Sequence, residues 1–377
     1  FNPFAAIGRI LAEQELLMAW GIAQFILLPF IVLIFWGKSS NTKSSFQITP
    51  DIGGPPPAGN KEHGSARWQT RKETDQTSFV WHLRSIVAAG GIVFGALLND
   101  PKPRAWIDTT DTNTMIIGTT RSGKTRKLVF PTIWMLAHAG ESMVLTDPKG
   151  ELYERSAPYL RQQGYNVRVI DYRKPGWGNH WNAMEPVLEA LKRGDVSEAS
   201  SHAWTIANMF VYQKPGSEKG GGETIWKDGA ESVIAALILV VAMESPRESQ
   251  KHMYSVYKTL AELGKSRKIR IGNQLLEYVA LNDYMDSLPD DHPAKDAYAT
   301  AALAPERTRG SFFSNVASLL RLFADPAIRF LTSKQDHVLH DVGKEKTAVF
   351  LIIPDENKTR HPLAALYVDQ TYQALVE

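Results

Sequence analysis

Cysteine is missing from all 377 residues, which excludes disulfides and thiolate zinc sites and suits a reducing compartment. An excess of charge of one sign is missing as well. The 42 Lys and Arg against 40 Asp and Glu leave a net charge of +2, so no global basic field points to nucleic acid. Neither a Gly-x-Ser-x-Gly elbow nor a His-Glu-x-x-His pair occurs, and there is no internal repeat. His337 and His340 stand as an isolated pair and read as surface residues, while Lys265, Arg267, Lys268 and Arg270 form a basic cluster that reads as a solvated loop. What the chain does have is length. Its 377 residues, 44% of them hydrophobic, are enough for two or more domains. It opens on Phe1, and Tyr372 to Glu377 lie inside an apparent helix, so it reads as part of something longer.

The strongest motif is Gly118-Thr119-Thr120-Arg121-Ser122-Gly123-Lys124-Thr125, a G-x-x-x-x-G-K-T loop. In such a phosphate-binding loop the glycines let backbone N–H groups turn inward around the phosphates. The lysine reaches the β- and γ-phosphates, and the threonine hydroxyl goes to Mg²⁺. At ordinary residue frequencies the four fixed positions arise by chance in on the order of one chain in a hundred of this length. Context narrows this further: Asn113 to Gly118 reads as a short buried strand, and Arg126 to His138 has helical apolar spacing in Leu128, Val129, Ile133 and Leu136. The expected ligand is ATP with Mg²⁺, held by the whole loop, with Lys124 and Thr125 as catalytic residues and Thr125 on the metal.

Upstream, Leu16 to Trp36 carries no charge and only Gln24 as a strongly polar residue. At about 1.5 Å per residue a helix of this run covers roughly 30 Å of hydrocarbon, so an N-terminal transmembrane helix is expected, with Trp20, Phe35 and Trp36 as interfacial anchors. Lys38, Lys43, Lys61, Arg67, Arg71 and Lys72 follow the run and only Arg9 precedes it, which puts the C-terminal side in the cytoplasm. Residues 37 to 78 are polar, and Thr49 to Pro57 reads as a semi-rigid linker. Phe79 to Leu98 reads as a helix or strand followed by a strand from Gly91 to Leu97.

Beyond the loop, Ser142 to Asp147 and Val167 to Ile170 read as buried strands around a helix from Leu152 to Gln163, which makes βαβ units and a parallel sheet. From Trp181 to Asp325 strand signals vanish. Leu188–Leu191, Ala199–Met209, Ala230–Met243, Met253–Leu263, Leu275–Leu281, Ala294–Ala302 and Phe312–Phe323 read as helices of an inserted domain. Lys219-Gly220-Gly221-Gly222 reads as a flexible loop. Lys346 to Ile353 is the clearest strand, and Pro362 to Val376 a last helix. The domain plan is therefore 1–40 membrane anchor, 41–78 cytoplasmic linker, 79–180 nucleotide-binding domain, 181–330 all-helical insert, and 331–377 the nucleotide-binding domain resumed.

Hydrolysis needs an acid near the Mg²⁺ water shell, and two positions compete. Asp147 ends the first strand after the loop helix; a helix cap is its alternative role. Asp355-Glu356 follows the clearest strand, but Pro354 bends the chain away at the strand tip, so these acids read as a polar turn.

The series Gly64-Ser65-Ala66-Arg67-Trp68, then Gly118 to Thr125, then Asp147-Pro148-Lys149-Gly150-Glu151-Leu152, then Ile353-Pro354-Asp355 ahead of Gln370-Thr371-Tyr372-Gln373-Ala374-Leu375 resembles the coupling proteins of type IV secretion and conjugation, the TraG-like ATPases. The Thr-Arg-Ser-Gly-Lys-Thr and Ile-Pro-Asp-Glu variants resemble the branch of Gram-positive mobile elements. The resemblance covers nearly the whole chain. It implies a RecA-like nucleotide domain with an all-helical insert, assembled as an inner-membrane homo-hexamer with its nucleotide sites in the cytoplasm and ATP between subunits. Such a hexamer hands relaxase-bound single-stranded DNA, or secreted proteins, to the channel components. It further implies a first membrane span ahead of Phe1 and a Walker B strand with its Asp-Glu pair beyond Glu377, leaving Asp147 a secondary, nucleotide-proximal acid. Two other functions fit the same residues: a membrane-tethered receptor gated by nucleotide without turnover, and a DNA translocase of the chromosome-segregation FtsK or HerA kind.

Overall fold

The computed structural model describes residues 12–39, 46–49, 52–54, 67–83, 85, 87, 89–212, 224–271, 274–356 and 358–376, with backbone alone at 30, 32–39, 46–49, 52–54, 269, 271 and 274–277. The chain divides into two compact units, Phe1–Thr77 and Ser78–Glu377.

In the first unit, α1 runs Gln14–Ser39 as one 26-residue helix. Its apolar side chains point outward, with Phe25 83% and Ile26 66% exposed. Among the described residues no helix is long and apolar enough to cross a membrane; the uncharged run goes on to Trp36, and the side chains beyond Ile31 lie outside those described. Where a semi-rigid linker was expected, β1 (Phe46–Thr49) pairs antiparallel with β2 (Ile52–Gly54), Thr49 opposite Ile52. The short helix α2 (Arg71–Thr77) is opened by a capping box. Thr70 N donates to Glu73 Oε2 at 2.8 Å, and Glu73 N donates to Thr70 Oγ1 at 3.4 Å. Arg67 forks onto the same carboxylate, its Nη1 2.9 Å from Oε2, and this guanidinium holds Glu73 well below the usual carboxylate range.

The second unit begins with an antiparallel sheet in the order β3-β5-β4: β3 Phe79–His82, β4 Ile92–Leu97 and β5 Arg104–Asp108. Its Trp81, Val93 and Ile107 pack on Met135 of α3 (Phe130–Ala139). β5 has no counterpart in the sequence reading, because a five-residue segment with charge at both ends carries little periodic signal. There follow β6 (Met143–Thr146), α4 (Glu151–Gln162) and β7 (Asn166–Asp171).

The helical part is then built from α5 (Glu185–Lys192), α6 (Val196–Tyr212), α7 (Thr224–Glu244) and α8 (Met253–Leu263). A hairpin of β8 (Ser266–Ile271) and β9 (Gln274–Val279) interrupts it, followed by α9 (Ala280–Ser287), α10 (Pro293–Leu303), α11 (Glu306–Leu320), α12 (Pro326–Leu331) and α13 (Asp341–Lys344). The expected helix Leu275–Leu281 is thus mostly strand, and strands do not vanish from this region: β8 and β9 satisfy each other's backbone from Ser266↔Val279 to Ile271↔Gln274. α7 is the centre of the block, buried without a break from Ser232 to Ala242 and packed against α6, α10 and α11. The glycine-rich run Lys219–Gly222 lies outside the described residues.

β10 (Thr347–Ile352) and α14 (His361–Val376) close the unit. β10 pairs parallel with both β6 and β7, giving the order β6-β10-β7, an α/β sheet buried on both faces. Ala348, Phe350 and Ile352 face Ile133 of α3 and Leu160 of α4, while Val349 and Leu351 join the core of the helical block. The expected strand Asn113–Gly118 does not form. No described strand lies beside it to complete a ladder, and Met115 and Ile117 remain 86% and 88% exposed.

Gly229 of α7 lets Phe312 approach so closely that a Cβ there would stand 2.4 Å from the ring. We expect Gly229→Ala to destabilise the unit by about 1–3 kcal/mol through overpacking, measured by denaturant unfolding; an unchanged midpoint would show that the ring yields freely.

Candidate functional site

The loop Gly118–Thr125 leads straight into helix. Lys127 N bonds Gly123 O at 2.8 Å, and Thr125–Val129 forms a π-turn that continues into α3. Phe130 N reaches back to Thr125 O, one residue beyond its ordinary i→i−4 acceptor, and the next residue, Pro131, has no N–H to donate to Lys127 O. Two residues turn the loop with positive φ, Gly123 at 87° and Arg121 at 66°. Ser122 N closes the turn on Thr119 O at 3.2 Å. Lys124 folds back into the loop, its Nζ 2.5 Å from Gly118 O and 3.0 Å from Thr119 O. Among the described residues Lys124 is held by backbone carbonyls alone, and a cation so held beside a helix start suits an anionic phosphate group. Thr119, Thr120, Arg121 and Ser122 are all exposed, and Thr125 is half-buried.

Asp147 is 1% exposed. Its Oδ1 accepts from Gly150 N at 3.0 Å and its Oδ2 from Tyr153 N at 2.9 Å, so both oxygens serve the start of α4. That burial leaves no face for a metal's water shell, and the geometry favours the cap over the metal-proximal role. Asp355 and Glu356 stand exposed in a turn after β10, Glu356 3.8 Å from Arg173.

His337 is not a surface residue. It is 6% exposed, with Nε2 2.8 Å from the Tyr367 hydroxyl and Nδ1 3.2 Å from Asp336, and burial pushes its pKa down. Asp336 also accepts from His180 N at 2.9 Å and Asn179 Nδ2 at 3.1 Å. This network, which ties the segment after β7 to α14, escaped the sequence reading because its members lie far apart in the chain. The basic cluster is likewise not a loop: Arg267, Lys268 and Arg270 sit exposed on β8, and Lys265 pairs with Glu262 at 2.9 Å. Among the described residues no group of three or more His, Cys, Asp or Glu is placed to hold a metal ion. At the C-terminal ends of β6 and β10 a cleft of about 680 Å³ opens, lined by Thr146, Pro148, Ile353, Asp355 and Val368; such strand ends are where open α/β sheets bind ligands.

Parallel sheet and helical block together make this an α/β chain that carries a phosphate-loop motif. Residues 60–377 match the family described as "Type IV secretory system Conjugative DNA transfer", and the chain belongs to that family. It is similar to "Conjugal transfer protein TraG" of Escherichia coli, 25% identical over 333 residues that cover 84% of this chain and 49% of that one. It is also similar to "Protein VirD4" of Rhizobium radiobacter, 24% identical over 324 residues, 84% of this chain and 42% of that one. The chain thus spans about half the length of the curated relatives it matches. Among solved structures it is similar to the bacterial conjugative coupling protein TrwBdeltaN70 in its unbound monoclinic form, at 12% identity and a TM-score of 0.45, covering 69% of this chain and 50% of that one.

If Asp147 is a cap, Asp147→Ala should lower stability by about 1–2 kcal/mol while leaving Mg-ATP affinity within about threefold of wild type, a change under 1 kcal/mol. A loss of affinity at unchanged stability, in paired unfolding and calorimetric titrations, would return Asp147 to the metal site.

Proposed function

We propose that this chain is the nucleotide-binding portion of a membrane-anchored coupling protein. The protein would use ATP to drive relaxase-bound single-stranded DNA, or protein substrates, into a type IV secretion channel. The observation that carries the reading is the loop Gly118–Thr125, with Lys124 turned inward at the entry to a helix, in a chain whose family match runs from residue 60 to its last residue.

In this reading the stretches 79–180 and 331–377 form a RecA-like domain with 181–330 inserted into it. Support comes from β10, which lies between β6 and β7 although the whole helical block separates it from them in the chain. Bound ATP would lie with its phosphates against the amides of Gly118 to Lys124, and Mg²⁺, held by the Thr125 hydroxyl, would neutralise charge on the β- and γ-phosphates. Lys124 would exchange two carbonyl oxygens for phosphate oxygens, a stronger charge-assisted pairing. α1 would be the anchor: the run Leu16–Trp36 is uncharged, it lies on one continuous helix, and its described apolar side chains face outward. The positive-charge bias then leaves the nucleotide site in the cytoplasm at the inner membrane. A homo-hexamer with ATP between subunits, working with the channel components, completes the proposal.

The test is ATP turnover by the full-length protein with and without single-stranded DNA. Turnover should rise with DNA, and Lys124→Ala should cut it by at least about 10²-fold, the scale of losing one preorganised charge contact. Undiminished turnover in that variant would contradict the reading.

A further inference from the structure

We infer that Arg121 is a second phosphate-contacting cation of the loop, placed on the γ-phosphate of a bound triphosphate to stabilise charge there during hydrolysis. The inference rests on the nucleotide reading above and assigns one further catalytic residue within that site.

Three observations converge on this residue. Arg121 is the only non-glycine residue with positive φ among the described residues, at 66°. It sits third in the turn Thr119-Thr120-Arg121-Ser122, closed by Ser122 N on Thr119 O, at the position where a positive φ favours glycine or asparagine. An L-residue held there is strained, and a turn alone would be better served by glycine. Second, the guanidinium is exposed and pairs with no carboxylate among the described residues, so it is not fastened back onto the protein. Third, no Asp or Glu occurs from Thr112 to Gly140, although that stretch holds Arg121, Lys124, Arg126 and Lys127. That segment of the chain is therefore cationic, and Arg121 is the one cation besides Lys124 within Gly118–Thr125.

A planar guanidinium can engage two phosphate oxygens at once and cannot lose its proton. During hydrolysis the water oxygen forms a bond to Pγ, the bond from Pγ to the β,γ-bridging oxygen breaks, and ADP leaves with that electron pair. The proton released by the water goes to phosphate or solvent. Arg121 transfers no proton; it meets the negative charge on the equatorial γ-oxygens, which is what an arginine finger contributes. Because ADP lacks that phosphate, the contact discriminates between the two nucleotides.

The test compares Arg121→Asn, Arg121→Gly and Arg121→Lys in the full-length protein, measuring affinity for Mg-AMPPNP and Mg-ADP by calorimetry alongside ATP turnover. Asn and Gly both accept a positive φ, so these variants keep the turn while removing the charge. Both should bind Mg-ADP within about twofold of wild type and lose the preference for Mg-AMPPNP, and turnover should fall about 10³-fold, the lower end of what such an arginine supplies. Arg121→Lys should fall between. Turnover and triphosphate preference within about threefold of wild type in the Asn variant would overturn the assignment, as would an equal loss of both nucleotides. If instead the wild-type protein binds neither nucleotide, or Lys124→Ala binds as well as wild type, it is the nucleotide reading itself that fails.

Discussion

The second unit depends on one strand that comes late in the chain. β10 enters between β6 and β7, hydrogen-bonded in parallel to both, with all six of its side chains buried. A parallel pair must be joined by a crossover, and the connection from β7 to β10 is the entire helical block. Sheet and block are therefore interlocked by the chain. One face of β10 closes the layer shared with α3 and α4, and the other is continuous with the core around α7. The ladder also runs past the strands: Asp147 N bonds Leu351 O at 2.8 Å and Tyr172 N bonds Ile352 O at 2.9 Å, so β10 positions the turns that follow its neighbours.

That placement decides how the acids are used. Asp147 and Asp171, at the ends of β6 and β7, both accept backbone amides: Asp147 those of Gly150 and Tyr153, Asp171 those of Arg173 and Lys174. These carboxylates shape the loops that leave the sheet. The phosphate-loop segment does the opposite, gathering cations with no acid in its own stretch of sequence. Lys124 is held inside that loop by the carbonyls of Gly118 and Thr119.

Much of this was legible in the residues, for identifiable reasons. A central parallel strand has no polar face, so Thr347–Ile352 stands out as an unbroken apolar run, and Met253–Leu263 has clear helical spacing. Asn113–Gly118 has an apolar centre in Met115, Ile116 and Ile117, yet a strand exists only through its neighbours and this segment has none among the described strands. β9 misled in the other direction, since Leu275, Leu276 and Val279 fit a helix as well as a strand over so short a window. The Gly272-Asn273 pair between β8 and β9 is a hairpin signal that would have separated them. The phosphate loop was fully legible as a motif. The cap made by Asp147, the burial of His337 against Tyr367 and the left-handed Arg121 were not, because each depends on backbone geometry or on partners distant in the chain.

The central claim is that Gly118–Thr125 and the helical turn after it receive the phosphates of a nucleoside triphosphate. Amide hydrogen exchange of the full-length protein, with and without saturating Mg-ATP, tests it most directly. Protection should concentrate in peptides covering residues 118–129, with lesser change in those covering β8 and β9. Exchange that is unchanged across 118–129 while Mg-ATP protects another segment would contradict the account.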